Sequence, residues 1–442
     1  MIFSIFEGRF LLMRMLLLTA TMLLVCVSIL TIYAIGHPVQ EYKDTGTQEY
    51  KNNAPGTDSQ ASGPRPQVSS PNKYSNKWKK QLAYAGAGFF CLALVNLFDY
   101  RHLGPISYLL YGLILFLLAI ILADKEIFTI PFVHDRLGMH RWIKIGFGFL
   151  IQPSEFCKVA YILALAWYLR FRSNYRTFAG LIGPFTLTLL AMVLILLEPD
   201  LGTTVLLMPV LFTMLFVAGA RVKHLVIILC IGLAVSPIMW KSMKSYQRMR
   251  ISSVLLQNDK IFAAAENHET LAKILVGDPD NLRSWKGDEG FQLLHAKRAI
   301  ASGGLCGYGF GKGPYLETAY AHLPEADNDM IFPMIAHQFG VLGCGVLLML
   351  YITIIACAIE LGWLNTDPFG RLVAVGIAAM FAVQVLVNVG MTLGLMPITG
   401  LTLPLVSYGG SSMVANLIAI GLLNNIGKHR PFSVAKKPFE FG

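Results

Sequence analysis

Charge is what this sequence has least of. Asp, Glu, Lys and Arg make up 14% of its 442 residues, where soluble domains carry roughly 25%. With a mean hydropathy of +0.57, this excludes an ordinary soluble enzyme and indicates an integral membrane protein. Cysteine is sparse as well: the seven are scattered, mostly inside apolar runs, with no CxxC pair. That excludes a disulfide frame and a cysteine-built metal site. No basic stripe interleaves with aromatics, so the net charge of +10 reflects topology and contact with anionic membrane lipids, and no nucleic acid is expected as a partner. Lys312 sits in a glycine-rich run, GGLCGYGFGKG, but without the GK[ST] of a P-loop. SYGGSS, Ser407 to Ser412, makes no G-x-S-x-G nucleophile elbow.

What the sequence does have is long apolar runs, each near the roughly 20 residues that cross a bilayer. The first, Met15 to Ile35, is too long for a signal-peptide core and lacks a small-residue cleavage site, so it reads as a retained helix. The expected fold class is all-α: a polytopic membrane protein of about ten transmembrane helices. Residues 1–36 form the first span and 37–80 a polar linker rich in Ser, Pro, Asn, Gly and Gln. Spans two to seven occupy 81–240, a large hydrophilic loop 241–329, spans eight to ten 330–427, and a tail 428–442. Within the loop, Ile261 to Lys273 and Phe291 to Ile300 have helical spacing. The stretch 124–152 reads as a loop of mixed character packed on the membrane face.

Placing the N-terminus in the cytoplasm puts Arg9, Arg14, Arg101, RFRSNYR, ARVKH, Arg371 and KHRPFSVAKK inside, as the positive-inside rule requires of short loops. Both termini are then cytoplasmic. The 37–80 linker, the 241–329 loop, EPDLG (198–202) and GLMPITG fall on the opposite, extracytoplasmic face. So does the acidic turn in AHLPEADNDMIFPMIAHQFG (321–340), where Glu325, Asp327 and Asp329 run straight into an apolar helix. Carboxylates at that boundary are costly to desolvate and mark function.

Four stretches, RWIKIGFGFLIQPSEFCK (141–158), EPDLGTT (198–204), LPEADNDMIF (323–332) and NVGMTLGLMPITGLTLPLVSYGGSS (388–412), resemble the SEDS family (shape, elongation, division and sporulation), with NVGMT and FQLLHAKRAIASGGLCGYGFGKG closer to its RodA branch than to FtsW. The likeness runs from about Lys79 to Gly427. It implies a peptidoglycan glycosyltransferase in the bacterial cytoplasmic membrane that polymerises lipid II at the outer face. It also implies a class B penicillin-binding protein as partner, within an elongation or division complex. The family pattern usually has His-Thr-Asp where Asp327, Asn328 and Asp329 stand, a Glu-Glu pair at His337 and Gln338, and often Gln at Glu198.

The implied reaction needs a base for a sugar hydroxyl and cations for a lipid diphosphate leaving group. The resemblance makes Asp329 that base or a metal ligand; the plain alternative is a helix N-cap. Asp327, two positions away, is the candidate to help Asp329 hold Mg2+ or Mn2+. Arg141 and Lys158 are candidates for the diphosphate or for pairing with Glu155, which lies three residues from Lys158 on one helical face. Trp142 is a sugar platform or an interfacial anchor. Arg248, with Arg250 beside it, is a candidate for phosphate, for lipid headgroups or for the loop's own acids. Lys312 is a phosphate candidate, and Ser411 is a candidate substrate contact in SYGGSS. Two other classes remain open: a flippase for the same lipid, whose ionisable groups belong near mid-bilayer, and a non-catalytic scaffold of the cell-wall complex.

Overall fold

The computed structural model describes residues 2–38, 76–126, 133–136, 139–145, 149–171, 177–287, 289–317 and 323–429. Most of the expected linker 37–80 and of the tail 428–442, part of RFRSNYR, and Ala321 and His322 lie outside the described residues. Ten long helices run in the expected order: α1 (Ile2–Gly36), α2 (Lys77–Val95), α3 (Leu103–Glu126), α4 (Pro153–Leu169), α5 (Ile182–Leu197), α6 (Leu201–Ala218), α7 (Val222–Ser242), α14 (Ile331–Leu364), α15 (Pro368–Thr392) and α16 (Gly410–Lys428). Seven of them, α1, α3, α5, α6, α7, α14 and α15, are long and apolar enough to cross a membrane. The other three are α2, α4 and α16.

Helix α15 is the axis of the bundle and packs on α14, α6 and α4, while α16 lies along α2 and α1 along α14. The apolar side chains of these helices merge into one continuous core. Helix α7 is the exception. Leu225 is its one buried residue, and its large side chains face outward along its length.

Because the long helices alternate in direction, their connections sort to two ends. One end gathers Arg9, Arg14, Arg101, Arg170, Arg221, Arg371 and Lys428. It is tied by Arg9 to Glu360 at 2.5 Å and Arg14 to Asn424 at 2.9 Å. The other end gathers every polar stretch singled out above.

At that second end the fold departs from all-α. Residues expected to be irregular form a three-stranded antiparallel sheet of β1 (Val133–Arg136), β2 (Met139–Ile145) and β3 (Phe149–Ile151). Ile143 faces Val133 on one side and Ile151 on the other. The alternating, β-branched and aromatic MHRWIKI favours a strand. The large loop is itself folded, with α8 (Ser245–Leu256), α9 (Asp259–Asn267), α10 (Glu269–Val276), α11 (Pro279–Trp285), α12 (Glu289–Ser302) and the single turn α13 (Pro314–Glu317). The two stretches of helical spacing correspond to α9–α10 and α12. Helices α8 to α11 enclose a small separate core of Met249, Leu256, Phe262, Leu275, Leu282 and Trp285, and the Trp285 indole donates to Ser253 Oγ at 2.9 Å.

Helix α14 is broken at Gly340, whose φ of 63° and ψ of −161° only glycine adopts readily. The break frees backbone groups that an apolar setting cannot leave unpaired. The glycine-rich loop supplies their partners. Tyr308 and Gly309 N–H donate to the His337 and Gln338 carbonyls, and Val341 and Leu342 N–H donate to those of Gly304 and Leu305. The fit is backbone to backbone: a Cβ on Gly340 would stand 2.4 Å from Leu305 O, and one on Gly307 2.2 Å from Gln338 O.

His337 and Gln338 complete the strap. His337 Nδ1 lies 2.7 Å from Ser302 Oγ, and Tyr315 N–H lies 3.4 Å from Nε2. Gln338 Oε1 accepts from Gly311 N–H at 3.1 Å.

Gly340→Ala is therefore expected to cost at least ~1–3 kcal/mol from the backbone conformation alone. Gly345→Ala on the same helix, where a Cβ meets nothing within 4 Å, is expected to be neutral. Thermal unfolding midpoints of the two variants in detergent check this; equal midpoints would contradict it.

Candidate functional site

Four segments meet at the polar end: β2, the α5–α6 break, the acidic turn before α14, and the α15–α16 connection. The acidic turn (323–330) is tight. Glu325 has a left-handed φ of 53°, and its carbonyl accepts from both Asn328 and Met330 N–H. Three consecutive carbonyls of the turn are then held from outside. Tyr408 N–H donates to Asp327 O at 2.7 Å. Ser407 Oγ donates to Asn328 O at 2.7 Å. Asn388 Nδ2 donates to Asp329 O at 3.0 Å and also to Leu401 O at 2.7 Å.

This clamp fixes where Asp329 points. The residue as a whole is partly exposed, but its Oδ1 is sealed off with no hydrogen-bond partner. Its Oδ2 faces Gly400, where a Cβ would stand 3.2 Å away. Asp329 does not cap a helix: the N-cap of α14 is Met330, which makes no side-chain cap bond. Burial, reinforced by the Glu325 charge, pushes its carboxyl up to about 8, while the nearby Arg250 and Arg141 guanidiniums pull the other way.

The α5–α6 break lies close by. Asp200 caps α6: Thr203 N–H donates to Oδ1 at 3.1 Å, and the Thr203 and Ser154 hydroxyls donate to Oδ2 at 3.0 and 3.1 Å. Arg141, carried on β2, donates from Nε to Glu198 O at 2.6 Å and from Nη2 to Pro199 O, so the sheet positions it against the break. The Glu198 carboxylate is buried with no partner on either oxygen. Burial, with the Asp200 charge, raises it to about 9 against the pull of Arg141. It is a neutral acid at pH 7.

The structure sorts the sequence candidates. Asp329 and Arg141 come together. Arg250 joins them, although its sequence neighbour Arg248 is the phosphate candidate. Two residues on a helix are about 200° apart, so Arg250 faces Asp329 and Arg248 faces away. Arg250 Nε has no acceptor. Lys158 and Glu155 are closed on each other at 2.7 Å and buried. This is the pairing that the sequence left open beside diphosphate binding. Ser411 is likewise committed: its hydroxyl accepts from Gln152 N–H at 2.8 Å and donates to Leu150 O, fastening β3 to α16. Trp142 lies on β2 opposite His134, half-buried. Lys312 is exposed on the glycine-rich loop.

Asp327 does not pair with Asp329 on a metal. Its Oδ2 is bound at 2.5 Å by the Lys77 ammonium, with both side chains largely buried. Among the described residues no three His, Cys, Asp or Glu side chains converge. With Asp327 neutralised and the Asp200 oxygens taken by hydroxyls, the residues present do not fit a resident Mg2+ or Mn2+, which wants several oxygen donors. Asn388 and Gly400 lie in the stretch 388–412 that the sequence singles out, although neither is named there as a site residue, and Lys77 carried no sequence signal of its own. Lys77 is an unremarkable basic residue at the end of a polar linker, and its partner lies 250 positions away.

The family model for cell-cycle proteins of the FtsW, RodA and SpoVE type matches residues 61–431. The chain is 34% identical to stage V sporulation protein E of Bacillus subtilis (strain 168) over 354 residues, 79% of this chain and 87% of that protein. It is 28% identical to the peptidoglycan glycosyltransferase RodA of Treponema pallidum (strain Nichols), covering 80% and 90%. Similarity thus runs across the branches instead of singling out RodA. Among solved structures, a chain of a peptidoglycan synthase complex that coordinates polymerization and crosslinking superposes with a TM-score of 0.61 at 29% identity, covering 80% of this chain and 89% of that one. Thermus thermophilus RodA superposes at 0.58 and 25% identity, covering 94% and 96%.

Removing one member of a buried ion pair strands the other charge. Lys77→Met is expected to lower stability by roughly 3 kcal/mol, and Lys77→Met with Asp327→Leu to recover most of it, read as thermal midpoints. A double variant no better than the single would contradict the pairing. Glu198 gives a pH signature. Its folded value lies above its unfolded one, so the folded state holds the extra proton, and stability falls as pH rises from about 4.5 to about 9. Glu198→Gln should match the wild type near pH 4 and gain on it progressively up to pH 9.

Proposed function

The chain belongs to the cell-cycle protein family of FtsW, RodA and SpoVE, and from that membership and the site geometry we infer a peptidoglycan glycosyltransferase that polymerises lipid II into glycan strands. The polar end of the bundle is its outer face in the bacterial cytoplasmic membrane, and the arginine-rich end, with both termini, is cytoplasmic. The membership fits work beside a class B penicillin-binding protein in an elongation or division complex. Ionisable groups gathered at one end, not at mid-bilayer, suit a transferase better than a carrier.

The observation that carries the mechanism is the clamped Asp329 with an unsatisfied carboxylate oxygen. A base works best when its proton affinity is near the working pH, and burial lifts Asp329 to about 8. In the reaction, the C4 hydroxyl of the acceptor GlcNAc gives its proton to the Asp329 carboxylate. The hydroxyl oxygen bonds to the anomeric carbon of the donor MurNAc as the bond from that carbon to the lipid diphosphate breaks. The electron pair leaves with the diphosphate. Arg250, with its free Nε–H, and Arg141 face the space beside Asp329 and stabilise the departing negative charge. Glu198, neutral at pH 7, adds no repulsion to that anion. No step is assigned to a metal.

The test is strand synthesis from labelled lipid II by the purified chain, alone and with its penicillin-binding protein. The base must be ionised to act, so the rate is expected to climb through about pH 8 and flatten above it. Asp329→Asn is expected to lose about 100- to 10,000-fold above pH 8 and to show no rise in rate through that pH. Strands formed by Asp329→Asn at the wild-type rate would remove this residue from the mechanism.

A further inference from the structure

Arg248, turned away from Asp329, faces a cavity of about 600 Å3 between the last turns of α7 and helix α10. Its walls include Trp240 and Lys241 from α7, Arg248 from α8, and Thr270 and Lys273 from α10. The Trp240 indole donates to Ile274 O at 2.8 Å and joins the two walls. Arg248 donates from Nη2 to Lys241 O at 2.6 Å, while its Nε is buried with no acceptor. The Lys241 ammonium has no acceptor among the described residues. Lys273 is paired with Glu269 at 2.7 Å, but both are well exposed, and such a pair holds little energy against a competing anion. The cavity is therefore cationic in excess of its own acids.

Its other walls are apolar. Pro237 and Ile274 line it, and the same face of α7 continues one turn along to the exposed Leu233, on a helix whose one buried residue is Leu225. A cationic floor at the end of a spanning helix, opening onto bare hydrocarbon-facing surface, has the form of a lipid: a phosphate above, acyl or prenyl chains below. The Trp240 ring sits where interfacial aromatics lie.

We propose that this cavity is a second site, separate from the one around Asp329, that binds the phosphate of a membrane lipid through Arg248 and Lys241. The phosphate is that of an anionic phospholipid of the bilayer, the lipid that the uncovered α7 meets directly. The proposal requires that α7 span the membrane but does not depend on the transferase reaction.

The experiment is native mass spectrometry of the full chain in detergent, titrated with phosphatidylglycerol, with phosphatidylcholine and with a polyprenyl diphosphate. Wild type is expected to retain phosphatidylglycerol well above phosphatidylcholine. Lys241→Gln, which breaks no side-chain contact of the fold, is expected to weaken retention about fivefold, the effect of one basic side chain at a membrane surface. Arg248→Gln should do the same, and Lys260→Gln, an equal charge change on exposed α9, should do nothing. Phosphatidylglycerol is expected to resist displacement by equimolar polyprenyl diphosphate, and its displacement would overturn the phospholipid as the occupant. Equal retention of the two phospholipids by wild type would overturn the proposal, as would Lys241→Gln behaving like Lys260→Gln.

Discussion

Everything at the polar end depends on how one turn is held. Residues 327, 328 and 329 each surrender a carbonyl to a donor from 388–408, and the first also gives its carboxylate to Lys77. A reactive acid at a membrane boundary must be denied water, or it is an ordinary carboxylate. It must also be denied a neutralising partner, or it is a salt bridge. The clamp achieves both by acting only on the backbone of Asp329. Polar groups are spent on carbonyls, and the side chain is left facing a glycine. The ion pair takes Asp327 out of competition, because the Lys77 ammonium holds its carboxylate at 2.5 Å.

The same economy governs the interrupted helices. A break in a spanning helix exposes amides and carbonyls that hydrocarbon cannot solvate. At Glu198–Asp200 the guanidinium of Arg141 and the hydroxyls of Ser154 and Thr203 satisfy the groups exposed there. At Gly340 another stretch of main chain does, and only glycines allow it to come so close. His337 and Gln338 hold that stretch in place through their side chains, at Ser302 Oγ and Gly311 N–H.

Much of this was legible from the sequence because length and hydropathy alone position spans. The helix order, the break at EPDLG and the helical parts of the large loop all follow from runs and periodicity. The sheet was not legible, because MHRWIKI is a single alternating heptad among residues equally suited to a membrane surface. Nor was the division between Arg248 and Arg250, although a helix through SYQRMRISS necessarily turns them apart. Glu155 with Lys158 and Ser411 show what a motif leaves unsaid: the pair is closed on itself and the serine fastens β3 to α16, contacts that spacing alone does not reveal. Lys77 was invisible, because local spacing carries no information about a partner 250 residues downstream.

That separation in sequence has a bearing on biosynthesis. The fastener Ser407 lies 79 positions downstream of the carbonyl it holds, with Tyr408 beside it, so a ribosome must deliver the α15–α16 connection before the turn can be locked. A nascent chain that has threaded only its earlier spans carries residue 329 without its fasteners. A premature stop between the large loop and residue 407 therefore yields a bundle whose acidic turn is never clamped.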